Sequence, residues 1–319
     1  MASDRRLCKM VPDGDQVALL VREKCTAQQL LAAAGLTKRT QERAFSQGLL
    51  ACEGAALARY ARLDAGDVAV LRLVCTRTPG VASDGSVEVV WRDRFALAAD
   101  KPTGLLVHGD GTAAPTLTAR VQGMLAREAT EQGRPNVLVP QPINRLDVET
   151  SGLVLFSLTE EFQPAFDALV ASHDPAIIRK RYLCVVGGRF PRGTVVMDSP
   201  IARDRHDARR MRVAVPGKGR AARTLAACLD YRAGRSLVAC ELRSGRRHQI
   251  RVHLASVGHP IVGDALYGHD GSTTMLLHAS ELEFTHPVTG ERVMLYTDWP
   301  KRFASLFRPR DVDWSILEE

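Results

Sequence analysis

Residues 224 to 242, TLAACLDYRAGRSLVACEL, consist of two strand-like runs about a turn that contains Gly234, and they limit what the whole chain can become. From Val186 onward the pattern is almost wholly of this kind. Upstream, short strands at 87–91 (VEVVW), 95–99 (FALAA), 153–158 (LVLFSL) and 177–186 (IIRKRYLCVV) interleave with helical segments near 117–131 and 160–172. That mixture predicts an α+β domain. A regular βαβ repeat is missing, as are a dinucleotide fingerprint and a phosphate-binding loop, because Gly217-Lys218 lacks both the upstream glycine and the following Ser or Thr. With 319 residues, 45% of them apolar, the chain has the length for a sizeable core and one small extra unit.

Residues 25 to 73 carry a compact pattern of their own. In CTAQQLLAAAGL, Leu30, Leu31 and Ala34 lie on one helical stripe and Gly35 is placed to end it. A second helix can start at Thr37 or Thr40 and stop at Gly48, with Lys38, Arg39 and Arg43 in its early turns. LDAGDVAVLRL then supplies a turn at Gly66 and an alternating strand. The arrangement resembles the small ribosomal-protein-type RNA-binding module known as the alpha-L motif, a resemblance that makes Lys38, Arg39 and Arg43 candidates to grip a phosphate backbone. The stretch CTRTPGVASDGS lacks periodicity and reads as a linker. The expected organisation is therefore a module at 1–77, a linker at 78–86 and a main domain at 87–319.

Formal net charge is +7, a surplus that favours an anionic partner such as nucleic acid. The seven cysteines are scattered without a CxxC pair and read as reduced thiols, not as a disulfide frame or zinc site. His248, His253 and His259 lack the spacing that puts two metal ligands on one helical face, so no metal site is expected there. No stretch reaches the length of a membrane span, and the charged opening MASDRRLCKM has no apolar signal core behind it. A cytoplasmic, monomeric protein is the expectation.

The segment INRLDVETSGLVLFSL, 143–158, places an acid and a base at the mouth of an apolar strand. Alone, Asp147 would read as a turn residue. It is accompanied, in order, by DKPTGLLVH (100–108) upstream, and by KRYLCVVGG (180–188), LRSGRRHQIRVHLASVGHPIVGDALYG (242–268) and LLHASELEFTHPVTG (276–290) downstream. These blocks closely resemble the RluA-like family of RNA pseudouridine synthases, over roughly residues 87 to 300. The resemblance implies a pseudouridine synthase fold with a central mixed, largely antiparallel sheet, and an isomerase that uses neither metal nor organic cofactor. Its partner would be RNA, ribosomal RNA of the large subunit before transfer RNA. A silent RNA-binding or ribosome-assembly protein on the same fold is the alternative from another class.

The reaction breaks the bond from uracil N1 to the ribose, turns the base and rejoins it through C5. It needs a carboxylate to act on the sugar or base and a closed pocket to retain the detached uracil. Asp147 matches the family's essential aspartate, by way of either a covalent adduct or loss of a ribose proton. An unpaired carboxylate in a dry pocket would take up a proton, so a fixed cation is expected beside it. Arg246 matches the family arginine that pairs with the aspartate. Tyr182 matches the tyrosine that stacks on the target base, and Arg145 matches the arginine that fills the space the flipped base leaves. Asn144, Lys101, His248 and Arg251, from the same blocks, are expected to contact substrate. Asn144 stands where the family commonly has His, and Arg247 where it commonly has Thr, which bears on RNA contacts more than on the reaction.

Overall fold

A computed structural model describes residues 7–75, 77–80, 82–109, 111, 114–133, 137–215, 217–268, 270–309 and 311–317. Val81, within the expected linker, and residues 1–6 and Thr76, within the expected module, lie outside them. Two sheets organise the chain. The first is antiparallel and five-stranded, in the order Cys8–Asp13, Gln16–Val21, Val68–Arg72, Leu50–Cys52, Ala55–Ala56. Two helices accompany it, Ala27–Ala33 and Lys38–Ser46. Thr26 opens the first through a reciprocal capping box with Gln29, and Thr37 caps the second, so each helix starts where a hydroxyl satisfies an otherwise unpaired N–H. Leu30, Leu31 and Ala44 are buried in one cluster with Val17, Leu19 and Leu71.

That cluster does not end with the small sheet. It continues into Phe95, Phe162 and Phe166 of the main domain. At its edge Arg43 pairs with Glu160 and, at 2.6 Å, with Glu161, which also accepts the Val74 N–H. The Arg43 side chain is only 20% exposed. This corrects the expectation that it faces RNA, because both ends of its guanidinium are committed to carboxylates across the junction. Lys38 and Arg39 remain exposed.

The second sheet has ten strands. Its main path runs Thr194–Met197, Thr224–Arg232, Arg235–Leu242, Ile178–Gly187, Leu277–Thr285, Ser151–Ser157, Ala96–Lys101, Glu88–Arg92. Gln141–Pro142 adds to Ser151–Ser157, and Arg292–Tyr296 to Leu277–Thr285. Among these pairings one is parallel, between Ser151–Ser157 and Leu277–Thr285, through Ser151 opposite His278 and Gly152 opposite Ala279. The sheet is thus mixed and largely antiparallel. Gly152 has φ +112°, and a Cβ there would lie 2.2 Å from the Ala279 carbonyl oxygen, so only glycine allows the two strands to meet. This contact fixes the strand start four residues after Asp147.

Alternation along Ile178–Gly187 sends side chains to opposite faces. Tyr182, Cys184 and Val186 pack with Ile250 and Leu254 of helix Gln249–Ser256 on the front. Leu183 and Val185 pack on the back against Phe303, Phe307 and Leu317 of the C-terminal segment. Each fully buried phenylalanine contributes about 2 kcal/mol from burial, so this segment is part of the core. Helix Leu117–Glu131 covers Leu97, Val154 and Phe156 with Val121 and Leu125. Among the described residues no helix is long and apolar enough to cross a membrane.

Candidate active site

A cavity of about 1030 Å³ opens on the front of the large sheet. Its wall combines the 143–150 loop, the middle of strand Ile178–Gly187, and the 245–251 turn and helix start. The 143–150 loop is held from both sides. Ile143 N–H donates to the Leu155 carbonyl, and the Asn144 amide then continues the ladder with its side chain, donating to Leu153 O at 3.1 Å and accepting from Leu155 N at 2.7 Å. Asn144 was expected to contact substrate; instead both ends of its amide are spent on the strand backbone. Lys101 also departs from expectation. It is fully buried, and its Nζ donates to the carbonyls of Pro102, Leu105 and Val148 at 2.7–3.0 Å. Burial lowers its pKa to about 8. Lys101 is an anchor beneath the loop, not a substrate contact.

Asp147 projects from this loop with its side chain 24% exposed. The cation beside it is Arg251, whose Nη1 donates to Asp147 Oδ2 at 2.9 Å. The expectation that Arg246 fills this place is corrected: Arg246 Nε donates to the Ala221 carbonyl, and its backbone N–H to Gln249 Oε1. Arg246 still lines the cavity. Arg251 is 2% exposed and is itself aimed by Asp264, which takes Nε at 2.7 Å and Nη2 at 2.8 Å in a two-pronged pair. Burial alone would lower the Arg251 pKa, but the hydrogen bonds and charges of Asp264 and Asp147 outweigh it and raise it. Asp264 is fixed in turn by the N–H groups of Leu266 and Tyr267. The Glu149 carboxylate lies 3.9 Å from Nη1 of the same guanidinium, so acids outnumber the cation here, and Oδ1 of Asp147 is the oxygen Arg251 does not take.

Tyr182 lines the same cavity from the sheet and is 8% exposed. Burial, then the charge of Asp147, pushes its phenol up, so at neutral pH it offers a flat ring and an O–H donor and not a phenolate. Arg145 is exposed at the rim, two residues before Asp147. His248 stands between Asp147 and Tyr267, with Nε2 3.8 Å from Asp147 Oδ1 and Nδ1 2.9 Å from the Tyr267 hydroxyl. His253, by contrast, is fully buried and satisfied by the Thr224 hydroxyl and the Ser199 carbonyl.

One feature of the rim was legible in the charge pattern and was missed. Residues 201–223 contain eight Lys and Arg against two Asp, a net +6 of the chain's formal +7. They form an excursion with two short paired strands, Ile201–Arg203 and Met211–Val213, seated on Val252 and Tyr267. Arg209 from this excursion lines the cavity, and Arg246 and Arg247 tie its backbone at Ala221 and Arg209. The acidic group at the cavity wall is thereby accompanied by Arg145, Arg209 and Arg247, all exposed and lining the cavity. Such a field draws in a polyanion and holds its backbone at the rim.

The comparisons with known proteins place the chain in a family. A family model described as RNA pseudouridylate synthase matches residues 96–256. The ribosomal large subunit pseudouridine synthase D of Zymomonas mobilis subsp. mobilis is 31% identical over 241 residues, covering 70% of this chain and 73% of the relative. The protein of the same name from Xanthomonas campestris pv. campestris is 35% identical over 248 residues, covering 72% and 71%. The solved structure of human RNA pseudouridylate synthase domain containing 4 superposes with a TM-score of 0.54 at 20% identity, covering 70% of this chain and 95% of that one. The structural likeness defines the large sheet as a pseudouridine synthase fold. The chain belongs to the RNA pseudouridylate synthase family, whose members are isomerases acting on RNA.

Proposed function

We propose that this protein isomerises a specific uridine of large-subunit ribosomal RNA, with Asp147 as the carboxylate that acts on the target nucleotide. The Asp147, Arg251 and Asp264 chain carries this reading, because a buried guanidinium holds one carboxylate at a cavity wall while leaving its Oδ1 uncommitted. Arg251 fixes the carboxylate in place by a charged hydrogen bond, for attack on the ribose or removal of a ribose proton. Tyr182 offers a stacking face for the flipped uracil, and Arg145 a planar cation for the gap it leaves. Arg246 acts from the rim, holding the basic excursion where RNA arrives. Lys38 and Arg39, exposed at the start of helix Lys38–Ser46, add phosphate contacts within an RNA-binding module at residues 1–77. The ribosomal assignment is supported by the names of the relatives, which are large-subunit enzymes.

The test is to give the purified protein unmodified large-subunit ribosomal RNA and, separately, transfer RNA, and to map pseudouridines at single-nucleotide resolution. Site-specific modification of the ribosomal RNA is expected. Modification confined to transfer RNA would overturn the substrate, and no modification of either would overturn the activity.

A further inference from the structure

We propose that Lys180 and Arg246 form a subsite for one RNA phosphate beside the target nucleotide, with the Lys180 ammonium as its floor. The inference rests on the reading of the cavity given above and deepens it. Among the described residues two lysines are buried, Lys101 and Lys180, and they are held differently. Lys101 donates to three carbonyls at 2.7–3.0 Å, which accounts for every proton of its ammonium. Lys180, 7% exposed, donates to one, the Val170 carbonyl in the last turn of helix Gln163–Ala171, at 3.3 Å. Its other two protons meet no acceptor among the described residues, and unlike Lys101 it lines the cavity. A buried ammonium in that condition is destabilising until a ligand supplies oxygens.

The charges nearby support the same role. Alternation puts Lys180 on the cavity face of strand Ile178–Gly187, two residues from Tyr182. Asp147 acts on Tyr182, whereas the charge that acts on Lys180 is that of Arg246. Burial, and then Arg246, lower the Lys180 pKa to about 8, so the group is still an ammonium at neutral pH. Arg246 spends its Nε on the Ala221 carbonyl, and among the described residues neither Nη nitrogen has an acceptor. Burial, and then the charge of Arg220, lower its pKa as well, and no carboxylate offsets either effect. Lys180, Arg246 and Arg220 thus form a row of cations from the cavity floor to the basic excursion, apart from the acidic end at Asp147 and Glu149. Like charges held together in this way attract an anion between them, and the anion that RNA brings to a cavity wall is its phosphodiester. A neutral uracil carbonyl would call for one donor and not for a row of charges.

The experiment uses a synthetic RNA that carries the uridine found by the mapping described above. Each phosphate flanking that uridine is replaced in turn by an uncharged methylphosphonate, with the matching phosphodiester as reference. Half-saturating RNA concentration and saturated single-turnover rate are then measured for the wild type and for Lys180→Met. In the wild type, one position should raise the half-saturating concentration about tenfold. In Lys180→Met the unsubstituted RNA should already show that rise, and the same position should add less than about twofold, because variant and substitution remove one contact. A wild type indifferent to every flanking phosphate would overturn the proposal whether or not the variant folds. Losses that multiply at that position, or a Met variant with unchanged affinity, would do the same. A saturated rate that collapses at unchanged affinity would assign Lys180 to the uracil and also overturn it. Thermal unfolding in inorganic phosphate covers the other source of the anion: stabilisation that Lys180→Met loses while it still binds RNA like the wild type would give the subsite to a free anion and overturn the RNA assignment. Failure of the underlying reading looks different, because the wild type would then form no pseudouridine in any RNA.

Discussion

Arg251 and Arg181 are both buried arginines that bridge two carboxylates, and they lie on opposite faces of the same sheet. On the back, Arg181 joins Glu241 and Glu281 beneath the Trp314 ring, and Arg243 adds a second cation on Glu241 at 2.8 Å. Those carboxylate side chains are 1% and 10% exposed, so the cluster is closed. On the front, Arg251 joins Asp264, fully buried, to Asp147, whose side chain is 24% exposed at a cavity wall. The same pairing chemistry therefore gives two results. Where the carboxylates are almost wholly covered, the network fixes the sheet against its C-terminal cover. Where one carboxylate keeps an edge toward open space, the buried partner supports a group that faces the cavity.

The largest expected effect separates the two faces at once. Asp147→Asn is nearly isosteric and should slow pseudouridine formation at least about a thousandfold while RNA affinity stays within about threefold. Single-turnover assays beside filter binding would show this, and a purified variant that modifies RNA at the wild-type rate would remove Asp147 from the chemistry. Asp264→Asn, which never meets substrate, should slow the bound step by about ten- to a hundredfold, because Arg251 loses a two-pronged anchor and its aim. A rate equal to that of the wild type would mean that Asp264 only braces the fold.

On the closed face, Arg181→Met leaves Glu241 and Glu281 without their shared cation and should destabilise the protein by about 3 kcal/mol. Its single-turnover rate at a temperature where it is folded should stay within about twofold of wild type. Thermal unfolding and rate measured on one preparation would check the split, and a large rate loss with unchanged stability would contradict it. Replacing Lys38 and Arg39 together by Gln is the mildest change. Affinity for long structured RNA should fall a few-fold, with a salt dependence shallower by about one to two counterions. An unchanged salt slope would show that this helix does not touch RNA.

Local signals carried much of this structure. Helix Leu117–Glu131 and the hairpin about Gly234 follow the sequence pattern because their determinants are short-range: an apolar stripe, and two adjacent residues, Ala233 and Gly234, at positive φ. The hairpin from Cys8 to Val21 was overlooked although Asp13-Gly14 between alternating apolar residues marks one, with Gly14 at φ 54°. Asp147, Tyr182 and Arg145 were named from motif order, and the structure gathers them around one cavity. The partner of Asp147 was not legible in the same way. Arg246 and Arg251 both follow the same glycine, and only the fold of helix Gln249–Ser256 buries one and leaves the other at the rim. A clue was present in QIRVHL, where a guanidinium inside an apolar helical run must find carboxylates. Arg43 was misread for the converse reason: a base in a polar helix turn reads as solvated until the 160–161 acids, more than a hundred residues away, pack against it.

Arg251, and not Arg246, makes the ion pair with Asp147. Side-by-side single-turnover rates of Arg251→Lys and Arg246→Lys on one saturating RNA test it most directly. Each variant keeps its positive charge, but lysine cannot span Asp147 and Asp264 with a planar fork. Arg251→Lys should fall about a hundredfold or more and Arg246→Lys by about tenfold or less, with unfolding temperatures confirming that both are folded. The opposite ranking, with Arg246→Lys the slower enzyme, would contradict the account.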